Sequence, residues 1–82
     1  MAGRKNIVLL GKHGHKLGRH YNYKKLKSAI RRAMDIAQEK QQTVQIWHED
    51  AGQEVALVIT TRGSIRVDTH SPRLFNRLWS ES

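Results

Sequence analysis

The apolar residues of this chain fall into groups whose spacing changes from one stretch to the next. After Asn6, the run Ile7-Val8-Leu9-Leu10 is continuous and is stopped by Gly11. Such a run predicts a short strand buried on both faces, and so a central one. From Leu26 the apolar positions become Leu26, Ala29, Ile30, Ala33, Met34 and Ala37, offsets of 0, 3, 4, 7, 8 and 11. That is one stripe of an amphipathic helix. It predicts a helix from Tyr23 to about Gln41, with Asn22 as its N-cap. The period then drops to two. Thr43–His48 places Val44, Ile46 and His48 on one face, Glu54–Thr60 is a second such strand, and Ser64–Asp68 a third with Ile65 and Val67 inward. The segments Asp50-Ala51-Gly52-Gln53 and Thr61-Arg62-Gly63-Ser64 read as the turns between them. Ser71-Pro72 then reads as an N-cap with proline at the first helical position. Leu74, Phe75, Leu78 and Trp79 follow as one side of a short amphipathic helix, a lid on the core or a docking segment.

The predicted order is β-α-β-β-β-α. This is an α+β fold in a single small domain: one amphipathic helix packed on a four-stranded, mainly antiparallel sheet, with a short C-terminal helix. The first strand has to join the antiparallel meander, and a right-handed crossover through the main helix would set it parallel to one of those strands. Residues 1–82 form one domain on this reading. Residues 1–5 are a flexible basic arm, residues 11–22 a basic Gly/His loop or at most a loose hairpin, and residues 80–82 a tail.

At 82 residues the chain suffices for one domain. A domain of this size buries only about 60% of the surface its unfolded chain exposes, so the core is small. No apolar run approaches the roughly 18–20 residues that span a bilayer, and no signal-type apolar region follows Met1. There is no cysteine, which excludes a disulfide scaffold, a thiol nucleophile and cysteine zinc sites. A cytoplasmic location is the expectation, with no membrane partner.

Charge changes the picture most. The chain has 15 Lys+Arg against 7 Asp+Glu, a net +8. Residues 1–34 hold ten of the basic groups and no acid, the first carboxylate being Asp35. A half-chain of this kind is an electrostatic footprint for a polyanion. On the main helix Lys24, Lys27 and Arg31 share the side opposite the apolar stripe, with Ser28 and Asp35 beside them and Lys25 and Arg32 flanking. Arg31 and Asp35 stand four residues apart and are placed to pair.

The loop Gly11–Asn22 is the best candidate for chemistry. Gly11, Gly14 and Gly18 let backbone approach a ligand closely. Lys12, Lys16 and Arg19 supply charge, and His13, His15, His20 and Tyr21 can hydrogen-bond to a nucleic acid or stack on its bases. The loop leads into a helix N-terminus, whose free N–H groups favour an anion. It closes in no Gly-Lys-Ser/Thr and is no phosphate-loop motif. His13, His15 and His20 supply at most three imidazoles, with five cations around them and no nearby carboxylate, a poor cation site. No metal and no cofactor is called for. His48-Glu49-Asp50, or His48 with His70, admits an acid–base reading as a small ribonuclease, but no catalytic set is readable and the first reading is not an enzyme.

From the main helix onward the order α-β-β-β-α resembles the double-stranded-RNA-binding fold and the small toxin ribonucleases that share it. The basic start expected of the second helix is reduced here to Arg73 and Arg77, and an extra strand precedes the first helix. The β-α-β-β-β order also resembles several small phage-encoded inhibitors, including some anti-CRISPR proteins. Both resemblances rest on element order and size and carry no residue roles across.

The expectation is a small basic protein that contacts the phosphates of DNA or RNA with low sequence specificity. Its contacts would be Lys12, His13, His15, Lys16, Arg19, His20, Tyr21, Lys24, Lys27 and Arg31, with Arg4 and Lys5 as an arm. The alternative is a small inhibitor or adaptor, phage- or plasmid-encoded, that docks on an acidic face of a host protein. A homodimer is a further partner, favoured if Trp79 or Phe75 is exposed.

Overall fold

The structure is a computed structural model that describes residues 6–82; the arm Arg4-Lys5 lies outside them. Four strands form one antiparallel sheet in the order β1-β2-β3-β4. They are β1 (Ile7–Leu10), β2 (Val44–His48), β3 (Gln53–Thr61) and β4 (Ser64–Asp68). Helix α1 (Leu26–Lys40) connects β1 to β2, and α2 (Pro72–Glu81) follows β4. The element order and the α+β class are as the periodicities predict. Helix α2 extends through Ser80 and Glu81, so the expected tail is reduced to Ser82, whose N–H caps the Trp79 carbonyl.

The place and direction of β1 differ from expectation. It is an edge strand of the sheet, antiparallel to β2, with Ile7 opposite His48 and Leu9 opposite Ile46. The reason lies in the Gly/His segment. After a turn at Lys12–His15 the chain runs back along the free edge of β1. Tyr21 N–H donates to the Ile7 carbonyl at 2.7 Å, Ile7 N–H donates to that of Tyr21 at 2.9 Å, and Leu17 N–H donates to that of Leu9 at 2.8 Å. This return leg reverses the chain once more before α1 begins. A simple crossover would have set β2 parallel to β1; the added reversal sets it antiparallel. The return leg also covers the edge and leaves Ile7, Val8 and Leu9 at most 2% exposed. The burial expected of a central strand is thus met at an edge.

The main helix opens with a 3₁₀ turn at Tyr23–Lys25, where Asn22 Oδ1 accepts the Lys24 N–H at 2.8 Å. Its buried stripe is Leu26, Ala29, Ile30, Ala33, Ile36 and Ala37. Ile36 takes the place expected for Met34, which is 37% exposed. At 100° per residue Ile36 and Met34 stand at nearly equal angles on opposite rims of the other five positions, so the packing, and not the wheel, selects Ile36. The core forms between this stripe and Ile7, Leu9, Val44, Ile46, Ala56 and Val58 of the sheet. Leu74 and Leu78 bring α2 onto the same core, so both helices lie on one face and α2 is a lid. Ile65 packs partly against the core, whereas Val67, expected inward, is 39% exposed because β4 lies at the sheet's edge.

Two hairpin details set the ends of β3. Between Ile46 and Trp47 the register with β3 shifts, so that Ala56 faces Ile46 and Glu54 faces Trp47 with Val55 inserted as a bulge. Arg62 and Gly63 both have positive φ, +50° and +83°, the backbone of a two-residue type I′ turn.

Candidate nucleic-acid interface

The return leg alternates like a strand, and this divides the predicted site residues into two groups. Arg19 and Tyr21 turn toward α1. Lys16 and His20 turn toward Glu49, with Lys16 Nζ at 3.7 Å and His20 Nδ1 at 3.6 Å from its carboxylate oxygens.

Tyr21 is only 7% exposed and belongs to the core. It is therefore no platform on which a base could stack, and that expectation is corrected. Its ring serves Arg19 instead: the guanidinium lies 5.0 Å from the ring centroid. Arg19 is held in this way beside the exposed side of α1. Together with Tyr21, Ser28, Arg31, Arg32 and Asp35 it lines a shallow cleft of about 260 Å³. An adjoining depression is lined by Arg19, His20, Tyr21, Asn22 and Lys25. Lys25 and Arg32, which sequence reading placed only at the flank of the stripe, thus belong to the same surface as Arg19. The helical wheel puts both on the side that the return leg occupies; the fold-back that gives this side its significance has no signature in the periodicity.

On the opposite flank Lys27 lies over the indole of Trp79, 5.0 Å from the ring centroid, and Phe75 stacks against the same indole at 5.7 Å. Lys24 lies 5.8 Å from the Tyr23 ring. The aromatic rings hold cations at both borders of the helix face. The expected Arg31–Asp35 pair is not formed within 4.0 Å. Among the described residues, none of Arg19, Lys24, Lys25, Lys27, Arg31 and Arg32 is paired with a carboxylate. The ion pairs between described residues lie elsewhere: Lys16 and His20 with Glu49, Arg66 with Asp68, and His70 with Glu54.

Lys12, His13 and His15 sit at the exposed turn. The His13 and His15 rings stack at 6.3 Å, and His15 folds over Gly11, where any Cβ would collide with its ring. No three His, Asp or Glu side chains among the described residues converge as a metal site would require.

His48 is 8% exposed and accepts the Ala51 N–H on Nδ1 at 3.1 Å, so the neutral ring carries its proton on Nε2. It lines a separate cleft of about 340 Å³ with Asn6, Tyr23, Arg77, Leu78 and Glu81. His70 is not among these residues; it bonds Glu54 at 3.1 Å on the surface. The two rings thus have different hydrogen-bond partners, the Ala51 N–H for His48 and Glu54 for His70.

No helix among the described residues is long and apolar enough to cross a membrane. Compared with protein-family models, curated proteins and solved structures, the chain matches none.

Proposed function

We infer that the chain binds nucleic acid through its phosphates, using the exposed side of α1 together with Arg19. The observation that carries this reading is the separation of charge: six exposed cations on one surface without a carboxylate partner, while the described ion pairs lie elsewhere. Unpaired cations gathered in this way keep their full attraction for a polyanion and release its condensed counterions on binding. Lys24 to Arg32 extends about 12 Å along the helix at 1.5 Å per residue. Over that length one strand of a duplex presents roughly three to four charges. Ser28 is the main neutral polar group on this surface, so little there can read base edges and sequence preference is low.

The test is binding of labelled single- and double-stranded DNA and RNA across a salt series, with the protein first stripped of nucleic acid. Micromolar or tighter affinity at physiological salt is expected. For a duplex, three to six phosphate contacts give a log–log slope of about −3 to −5. Absence of binding at physiological salt rejects the reading.

A second reading is an inhibitor or adaptor that docks this surface on an acidic protein. The half-exposed Trp79 beneath Lys27 favours it, because an aromatic beside cations suits a protein interface. A partner captured at stoichiometric yield from a nuclease-treated lysate would support it.

A further inference from the structure

The sheet has two faces, and both helices cover the same one. The register places Val8 opposite Trp47, aligns Leu10, Gln45, Leu57 and Asp68 across the four strands, and sets Ile59 opposite Arg66. These residues point away from the helices. Among the described residues no helix lies over them, and none of Leu10, Trp47, Leu57 and Ile59 belongs to the core or packs against it. Each of the four is half-buried. The far face therefore carries four half-buried apolar side chains, one of them a tryptophan, around a polar pair in which Gln45 Nε2 donates to Glu54 Oε2 at 2.9 Å.

Its charges are arranged quite differently from those on α1. Lys16 and His20 meet Glu49 at the β1 edge, Arg66 meets Asp68 on β4, and Glu54 meets His70. With histidine neutral, these clusters hold two cations and three carboxylates among the described residues, in a chain whose net charge is +8. Here one copy can approach another with the least like-charge repulsion. A polyanion gains nothing from this face, since its cations are already paired and carboxylates outnumber them.

We propose that two copies of this chain stack through their far faces as a sheet-on-sheet dimer. Each charged cluster at the rim holds both signs, as the self-complementary patch of a two-fold interface requires. Packed sheets stand about 10 Å apart, so the basic helix faces point outward on opposite sides, separated by more than the ~8 Å screening length. Four strands and the return leg, about 4.8 Å apart and five residues long, give a face of roughly 24 Å by 17 Å. That projected area is about half of the ~800 Å² per partner of a stable complex, so the association is a weak, reversible one. It does not rest on the nucleic-acid reading.

Sedimentation of nucleic-acid-free protein from low-micromolar to sub-millimolar concentration tests this. The apparent mass should rise from 9.5 kDa toward twice that value. The rise should persist in high salt, which weakens phosphate binding but not apolar contact. Ile59→Lys should weaken association at least ten-fold with the circular dichroism unchanged, and Trp79→Ser should leave it unaltered. In Trp79→Phe, Trp47 is the single indole and its emission should shift to the blue as concentration rises. A monomer throughout, an association insensitive to Ile59→Lys, one lost in Trp79→Ser, or an unshifted Trp47 emission would each overturn the proposal.

Discussion

The guanidinium of Arg19 lies 5.0 Å from the centre of the buried Tyr21 ring. The two residues are neighbours but one in the return leg, so their side chains leave it on the same side. Tyr21 is anchored by two backbone hydrogen bonds to Ile7. A long, freely rotating side chain is in this way held beside Arg31 and Arg32 at little further entropic cost. Arg19→Ala should weaken nucleic-acid binding about three- to ten-fold, and Tyr21→Leu should do the same with no loss of charge. Anisotropy titrations of both variants at one salt concentration check this; full affinity in Tyr21→Leu would show that the ring does not position Arg19.

Arg31 and Arg32 flank the cleft from α1. Replacing both by Glu should lower affinity for every sequence alike. It should also reduce the magnitude of the salt slope by roughly two, since each phosphate contact contributes about 0.9. Lys12 and Lys16, at the turn and beside Glu49, should change the slope by less than half as much when replaced together. Equal effects of the two pairs would shift the contact surface toward the turn.

The hydroxyl of Thr69 ties α2 to the sheet. It donates to the carbonyl of bulged Val55 at 2.8 Å and accepts the Ser71 N–H at 3.0 Å. Thr69→Val leaves that carbonyl and that amide without their partner and should cost about 1–3 kcal/mol in urea unfolding. Thr69→Ser should recover most of the loss. Ser71, read from sequence as the cap, makes no side-chain cap hydrogen bond, so Ser71→Ala should stay within about 0.5 kcal/mol.

Leu78 and Trp79 are adjacent on α2 but differ in environment, at 2% and 42% exposure. Leu78→Ala should cost about 2–5 kcal/mol, the range for truncating a fully buried leucine. Trp79→Ala should cost less, because much of its surface stays in water. A small loss for Leu78→Ala would mean that α2 is a docking segment after all.

Among the described residues, Gln41 and Arg62 are the non-glycine residues with positive φ, +51° and +50°. Gln41 closes α1 in the left-handed conformation. There Gln41→Gly relieves steric cost and should raise stability by up to about 1 kcal/mol. Arg62→Asn suits the first position of the type I′ turn and should stabilise by a few tenths. Urea midpoints of the single and double variants check both, and additivity is expected because the sites share no partner.

Each element could be read from its own stretch of chain because its signal is local. The period of 3.6 from Leu26, the alternation from Val44 and the turn at Arg62-Gly63 need no distant residue to be interpreted. The same holds for the accumulation of ten cations before the first carboxylate. The choice of Ile36 over Met34 for the buried stripe was not within reach, since the helical angles set the two on opposite rims and only packing against the rest of the fold decides between them.

What the sequence by itself determined, then, is the order of elements, the apolar side of each and the sign of the N-terminal half. The tertiary structure alone decided that the glycine- and histidine-rich segment returns along β1, because that segment has no regular period and its partner hydrogen bonds are backbone groups that every residue carries. That one reversal makes β1 antiparallel to β2 and buries Tyr21. It also carries Arg19 to the helix face and turns Lys16 and His20 away to Glu49. The sorting of charge into an unpaired helix face and a sheet face whose cations are paired follows from this packing. Net charge is a sum over residues, whereas pairing depends on which residues the fold brings within 4 Å of one another.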